Sequence, residues 1–299
     1  MIEATLYTDA GCPWAYSASP ALRVLEWRFR DQLQWRLVMI GLREEASEAA
    51  VRAYDPDRSL ARWRVFEERY GMPFAEEAKA RPSGTGRGCR AVVAAGMLDA
   101  GSEWVVFRAL QLGFFTASVY LDDAESIRDA LRDVPGIDAD AIADRLDDPD
   151  VVVEYERQRR EARSAAGTPA EAQDKTTTSD GEVRFTAPSV VFRRDGESAF
   201  AGGWQPLLSY DTVLANFAPE LERIPLPDSP EHLFEHFPGG LTTAEVALLL
   251  AYGSDPVPDR ASAEQMLAEL ASAGHVERVG SGRDAVWSRT QVDTVAQLH

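Results

Sequence analysis

The sequence predicts an α/β fold with a long helical insertion, followed by a second, smaller module at the C-terminal end. Three observations support this class. Residues 3–42 have the pattern of a strand, a helix and a second strand, the order of a βαβ unit with parallel strands. Residues 43–166 are helical in pattern almost throughout. Two apolar runs then flank Asp195-Gly196, a pair typical of a hairpin turn, so the helical stretch lies between a βαβ unit and a β-hairpin.

The βαβ unit begins with a short strand over residues 3–8, EATLYT. Apolar residues between positions 18 and 29 recur at spacings of four, three and four, so they form one face of a helix. Pro20 lies inside this helix and is expected to kink it. Residues 33–42, LQWRLVMIGL, are a nearly continuous apolar run, which is typical of a strand covered on both faces.

The helical insertion, about residues 43–166, contains a series of segments with helical patterns. These segments are residues 59–71, 87–101, 102–115, 122–134, 138–146 and 148–166. Residues 167–184 are polar and rich in turn formers, and we expect them to form an exposed loop. The hairpin over residues 184–203 and a helix over residues 205–217 complete this part of the chain.

A second domain is predicted after a linker at residues 221–232, which contain three prolines. Residues 241–253 and 261–274 have helical patterns, and residues 275–289 read as two short strands around a Gly-Ser-Gly turn. Helix, helix and hairpin in this order are the layout of a winged-helix domain. We therefore predict one domain over residues 1–222 and a small winged-helix-like domain over residues 229–299.

The charge of the chain limits its partners. The sequence has 31 basic and 49 acidic residues, a net charge of −18. Such an excess opposes binding to phosphate backbones and anionic lipids, so we expect neither nucleic acid nor a membrane as partner. Residues 223–299 contain five arginines, no lysine and eleven acidic residues, so DNA binding is disfavoured even for the winged-helix-like part. Packing, dimerisation or protein contact is favoured there, and a homodimer is left open.

The sequence also predicts a compartment. The first residues, MIEATLYTDA, lack the basic and apolar segments of a secretory signal. No run approaches the roughly 18 apolar residues that span a bilayer. Two cysteines cannot form a disulfide framework, which favours a reducing environment. We therefore expect a cytoplasmic protein.

The candidate nucleophile is Cys12, which follows the first strand and opens the first helix in the sequence Gly-Cys-Pro-Trp. Free backbone N–H groups and the positive end of the helix dipole stabilise a thiolate there, so we expect an exposed thiol with a lowered pKa. Pro13 is well tolerated in the first turn, because no hydrogen bond is lost there. Trp14 is expected to offer an apolar face to a substrate.

These residues carry a family resemblance. The stretch YTDAGCPWAY, followed by Pro20, resembles the active-site helix of DsbA-type thioredoxin-like proteins, and most closely the subgroup of FrnE, mycothiol-linked actinobacterial relatives and 2-hydroxychromene-2-carboxylate isomerases. The resemblance covers roughly residues 2–217 and implies a thioredoxin-like fold with a large helical insertion. Residues 187–192, APSVVF, resemble the cis-proline loop of that subgroup, which implies that Pro188 is cis and faces Cys12. The substrate- or thiol-binding residues implied beside Cys12 are Pro13, Trp14, Ala15, Ala187 and Pro188.

The departure from the family pattern is Ala15, which stands where dithiol enzymes have a second cysteine. Without it, Cys12 could attack a disulfide but could not resolve the product alone. The resemblance implies a thiol-dependent oxidoreductase acting on a protein or small-molecule disulfide or an electrophile. No tightly bound cofactor is expected, and glutathione or mycothiol would serve as co-substrate. Two alternatives stay open: a thiol-dependent isomerase or transferase of the 2-hydroxychromene-2-carboxylate isomerase or kappa glutathione transferase type, and a non-catalytic binding module.

The remaining candidates for chemistry are weaker. Cys89 lies among small apolar residues of a helical pattern, so we expect a core residue rather than a resolving thiol. No histidine occurs in residues 1–222, which excludes a Cys–His pair there. His232 and His236 have a spacing of four but no convincing third ligand, so we predict no metal site.

Overall fold

A central mixed sheet and two separate hairpins make up the β-structure of this chain. The computed structural model describes residues 1–227, 229–251, 257–279 and 286–290. The strands in these ranges are β1 (Ile2–Thr8), β2 (Leu33–Met39), β3 (Thr176–Ser179), β4 (Glu182–Phe185), β5 (Ser189–Arg194), β6 (Glu197–Ala201), β7 (Val276–Val279) and β8 (Val286–Arg289). The central sheet has the order β2-β1-β5-β6, and β3-β4 and β7-β8 are the hairpins.

The predicted βαβ unit is confirmed. Strands β1 and β2 pair in parallel, from Ile2 opposite Leu33 to Thr8 opposite Met39. Strand β5 pairs antiparallel with β1 and with β6, so β1 lies between two neighbours and is buried along most of its length. The β5–β6 turn is the predicted Asp195-Gly196 pair, and both residues have positive φ angles of 52° and 84°. This conformation matches the twist of the two strands.

The helices surround this sheet. In chain order they are α1 (Pro13–Ser17), α2 (Ser19–Phe29), α3 (Glu48–Arg52), α4 (Pro56–Tyr70), α5 (Gly86–Leu98), α6 (Ser102–Thr116), α7 (Ala124–Leu131), α8 (Ala139–Asp144), α9 (Pro149–Ala162), α10 (Pro169–Ala172), α11 (Leu207–Phe217), α12 (Glu231–His236), α13 (Thr243–Leu249) and α14 (Arg260–Ser272). Helices α3 to α9 form the helical insertion. Pro20 lies in the first turn of α2, so the helix is interrupted before this proline, where the missing N–H costs little.

The expectation of an exposed loop over residues 167–184 is wrong. The structure shows helix α10 followed by the β3–β4 hairpin. Asp180 and Gly181 have φ angles of 56° and 83°, so they form the same kind of turn as Asp195-Gly196. Strand β3 consists mainly of polar threonines, so it lacks the apolar pattern by which a strand is predicted from sequence. A strand outside the main sheet does not need an apolar face.

The C-terminal segment packs against the helices of the main part. Helix α13 lies on α2, and apolar side chains of both belong to one buried cluster that also includes much of the sheet. Helices α13 and α14 followed by the β7–β8 hairpin reproduce the predicted order of elements. The winged-helix assignment and the division at residues 222 and 229 stay predictions, and the Gly-Ser-Gly turn at 280–282 lies outside the described residues. None of the helices in the described ranges has the length and apolar character needed to cross a membrane.

Candidate active site

Cys12 lies at the junction between the first strand and the first helix. It is the N-cap residue of α1, with an extended backbone (φ −89°, ψ 115°), and Pro13 follows in the first turn. The backbone N–H of Cys12 donates to the carbonyl oxygen of Asp9 at 3.1 Å. The Asp9 carboxylate accepts the N–H of Gly11 at 2.8 Å, which closes a tight local turn. This turn fixes the position from which the thiol projects.

The thiol faces the segment before β5. Cys12 Sγ donates to the carbonyl oxygen of Ala187 at 3.3 Å, and the Ala187–Pro188 peptide is cis. Strand β1 leads into Cys12, and β5, which begins just after Pro188, pairs with β1. The sheet pairing therefore brings Cys12, Ala187 and Pro188 together across 175 positions of sequence.

Trp14 and Ala15 lie on different sides of the short helix. Ala15 is buried, and its backbone N–H together with that of Trp14 stabilises negative charge on the Cys12 sulfur. The Trp14 side chain is 38% exposed and packs edge-on against Phe66, with ring centroids 5.0 Å apart. Trp14 also contacts Tyr70, at 5.6 Å. The predicted apolar face of Trp14 is thus part of an aromatic surface that α4 contributes.

The expectation of an exposed, low-pKa thiol is wrong for this structure. Cys12 is 4% exposed and lies in a buried apolar cluster with Tyr7, Phe185 and Val191. Burial, with a smaller contribution from the nearby Asp9 carboxylate, raises the pKa of Cys12 to about 12. The two helix N–H groups and the guanidinium of Arg184 act in the opposite direction but are outweighed. In this state the thiol is protonated and serves as a hydrogen-bond donor.

The end of the β3–β4 hairpin contributes to the buried cluster that contains the sulfur. Phe185, at the end of β4, belongs to this cluster and packs at a tilted angle against Tyr7, with ring centroids 4.5 Å apart. Arg184 precedes it, and its guanidinium donates to the carbonyl oxygen of Phe185 at 3.0 Å. Burial and the neighbouring Arg163 lower the pKa of Arg184. Neither is among the predicted site residues: Arg184 lies at the end of the expected loop over residues 167–184, and Phe185 lies in the predicted hairpin over residues 184–203.

Asp9 is a buried residue that the sequence analysis did not single out. Its carboxylate accepts from the Leu42 N–H at 2.8 Å, from the Thr85 hydroxyl at 2.8 Å and from the Cys89 thiol at 3.5 Å. Burial raises the pKa of Asp9 despite these bonds. Asp9 thereby connects the ends of β1 and β2 to the start of α5. The Asp-x-Gly sequence was the one local signal for this turn.

Cys89 is a core residue, as predicted. It lies in α5, is fully buried, and burial raises its pKa well above the usual value. Its hydrogen-bond partner is Asp9 rather than Cys12. Among the histidines, His275 pairs with Glu231 at 2.9 Å and His236 packs edge-on against Trp27. The described ranges contain no cluster of three or more metal-ligating side chains.

Comparison with known proteins identifies the fold around this site. The family model described as the DSBA-like thioredoxin domain matches residues 4–186. No curated protein is significantly similar to the sequence. A protein assigned as a protein disulfide isomerase from Nitrosomonas europaea has a TM-score of 0.57 at 13% identity, over 73% of this chain and 98% of its own.

Two further solved structures are similar. A protein assigned as a DsbA oxidoreductase from Streptomyces coelicolor has a TM-score of 0.53 at 16% identity, over 76% of this chain and 94% of its own. A 2-hydroxychromene-2-carboxylate isomerase has a TM-score of 0.46 at 16% identity, over 73% of this chain and 97% of its own. At such identities the first two likenesses establish a shared fold.

Proposed function

The chain belongs to the DSBA-like thioredoxin domain family, and from that premise we propose that it is a thiol-dependent oxidoreductase with Cys12 as its single active-site sulfur. One observation carries the proposal. The Cys12 thiol projects from a helix N-terminus onto the Ala187 carbonyl, directly before a cis proline. A disulfide held along this segment would present its sulfur to Cys12.

The proposed reaction is thiol–disulfide exchange. The Cys12 thiolate attacks one sulfur of a disulfide R–S–S–R′, so that a Cys12–S–S–R bond forms and the S–S bond of the substrate breaks. The leaving R′ thiolate takes a proton. Since Ala15 offers no second sulfur, an external thiol then attacks the sulfur of R. This step releases the Cys12 thiolate and a new disulfide with R, and glutathione or mycothiol is the proposed external thiol.

Because the Cys12 thiol is buried, it must become accessible to the substrate before exchange can occur. With a pKa of about 12, the covered sulfur is almost fully protonated near neutral pH. Displacing Phe185, which belongs to the same buried cluster as Cys12, would admit water and reduce the desolvation that raises the pKa of Cys12, while the two helix N–H groups would still favour the thiolate. We therefore infer that exchange requires displacement of the β3–β4 hairpin. The hairpin contributes no strand to the central sheet, which makes such a movement less costly.

The burial of Cys12 also favours a second candidate function. A protonated Cys12 suits a thiol-dependent isomerase or transferase, in which the sulfur would donate a hydrogen bond to a bound thiol cofactor and form no disulfide. The Ala187 carbonyl is already the acceptor of such a bond. In this case turnover would require the thiol cofactor, but no covalent bond to Cys12 would form.

A mass-spectrometric experiment separates the two candidates. The protein is incubated with glutathione disulfide, then with glutathione and hydroxyethyl disulfide. We expect a mixed disulfide on Cys12 and turnover, both abolished in Cys12→Ser and retained in Cys89→Ala, the matched control. Disulfide reduction that persists in Cys12→Ser would contradict the proposal. Consumption of an electrophile with glutathione, without any adduct on Cys12, would favour the isomerase or transferase.

A further inference from the structure

A cleft of about 520 Å³ opens beside the candidate active site. Gly11 and Pro13, the neighbours of Cys12 in sequence, line one side of it, and residues of α3 and α4 line the other. We propose that this cleft binds a small organic anion with about two negative charges and an apolar body. This inference rests on the proposed function, in which the group R of the disulfide would carry these charges and be brought next to Cys12.

Three arginines of the cleft have no counter-charge. Arg43, Arg58 and Arg62 line it and are exposed. Within the described part of the chain, their guanidinium groups make no ion pair or hydrogen bond. Carboxylates are not scarce, because the chain has 49 acidic and 31 basic residues. A group of unpaired guanidinium groups in an acidic protein is suited to a ligand that supplies the carboxylate or phosphate itself.

A second cavity in the same chain shows the opposite arrangement. It has about 550 Å³ and lies between α7 and α8, with Arg128 and Arg132 in its lining. Arg128 pairs with three carboxylates, including Asp144 at 3.1 Å, and Arg132 pairs with Asp129 at 2.5 Å. Carboxylates of the same chain neutralise the arginines of that cavity, whereas the arginines of the cleft beside Cys12 are available to a ligand.

The other charged groups in the cleft lining are already engaged. Asp55 is the one acidic residue among the described lining residues, and its carboxylate accepts the N–H of Arg58 at 3.1 Å as the N-cap of α4. Lys79 donates to the carbonyl oxygens of Ala117 and Val119 at 2.9 and 2.7 Å. Arg81 pairs with Asp122. The carboxylate of Asp55 keeps its charge, so the three unpaired arginines exceed it by two positive charges, which sets the expected charge of the ligand at about two.

Aromatic side chains line the interior of the cleft. Trp63 and Phe115 are buried lining residues, and Phe114 packs with its ring centroid 4.7 Å from the Lys79 ammonium. Such walls, and a volume within the range of small-molecule sites, suit an organic molecule of one or two rings rather than an inorganic ion. Aromatic dicarboxylates and aromatic phosphates share this chemistry.

Titration calorimetry with defined probes tests the proposal. The probes are benzene-1,3-dicarboxylate, phenyl phosphate and the neutral benzene-1,3-dimethanol. We expect at least one anion to bind and the neutral diol to bind at least about tenfold more weakly, since the diol cannot form charge-assisted pairs with the arginines. Arg58→Gln and Arg62→Gln should each weaken anion binding about tenfold. The tighter of the two anions identifies the carboxylate or the phosphate form.

The matched control is Arg132→Gln, which removes one exposed arginine from the neutralised cavity. It should leave anion binding unchanged, and thermal melts should show that all three variants fold. Equal affinity for the neutral diol, no anion binding, or an equal loss in Arg132→Gln would overturn the inference. Binding is measured in parallel in Cys12→Ser. Intact disulfide turnover without anion binding contradicts this inference alone, whereas anion binding without any adduct on Cys12 contradicts the exchange mechanism alone.

Discussion

The carboxylate of Glu245 in α13 pairs with the guanidinium of Arg108 in α6 at 2.8 Å; the Glu245 side chain is fully buried and that of Arg108 is 11% exposed. The same carboxylate accepts the N–H of Thr242 at 2.7 Å and the hydroxyl of Ser19 in α2. Burial alone would raise the pKa of Glu245, but the charge and hydrogen bond of Arg108, the charge of Arg23 and the Ser19 hydroxyl together outweigh it and lower the pKa to about 2. One carboxylate thus joins the C-terminal segment to two helices of the main part.

Replacing the Glu245 carboxylate tests its contribution to the free energy of unfolding. Glu245→Gln should lower the free energy of unfolding by about 3–5 kcal/mol, because Arg108 would keep a buried charge without a counter-ion. Urea denaturation measures the difference. Glu235→Gln, at an exposed position directly before the last residue of α12, should change stability by less than about 0.5 kcal/mol. Equal stability of both variants would show that the pair contributes nothing.

Deletion of residues 229–299 should destabilise the remainder. The sequence alone predicted that residues 1–222 fold by themselves, since their elements are complete by Phe217. The structure adds that the deletion uncovers the face of α2 that packs on α13 and removes the partner of Arg108. We expect a lower melting temperature or loss of the cooperative melt in calorimetry. A truncated chain that melts like the parent would show that the two parts are independent.

The pH dependence of Cys12 alkylation should reveal its burial. In a Cys89→Ala background, the rate with iodoacetamide should keep rising above pH 9 and approach a plateau only near pH 12, because burial raises the pKa of Cys12 to about 12 from a usual value of 9.0. Between these values the unfolded chain loses a proton that the folded chain keeps, so stability falls as the pH rises. Phe185→Ala should increase the rate near neutral pH. A plateau below pH 9 in the parent would contradict the buried state.

Restoring a second thiol should change the chemistry. Ala15→Cys places a thiol three positions after Cys12, where side chains at the start of a helix come within disulfide distance. We expect an intramolecular disulfide and reduction of insulin disulfides without an added resolving thiol. Ala15→Ser, similar in size without the sulfur, should behave like the parent. Insulin reduction by the serine variant would show that the second sulfur is not what limits the parent.

Local sequence signals were sufficient for the elements around the site. The βαβ pattern, the Asp195-Gly196 turn and the Cys-Pro pair at a helix start each depend on residues close in sequence, and all three are present. The family resemblance added the cis proline at Pro188 and its position opposite Cys12. The Asp180-Gly181 pair is the same turn signal as Asp195-Gly196. The strand before it, β3, was not predicted because its threonines are polar.

Sequence by itself therefore determined the family, the order of elements around the site and the absence of a second sulfur at Ala15. Only the tertiary structure decided the state of Cys12, because its pKa depends on burial in the cluster with Tyr7 and Phe185 and on Asp9, not on the helix terminus alone. It also decided where Asp9 meets Thr85 and Cys89, and which arginines surround the cleft. These contacts join segments far apart in the chain. Desolvation and charge pairing act through space, so no local pattern records them.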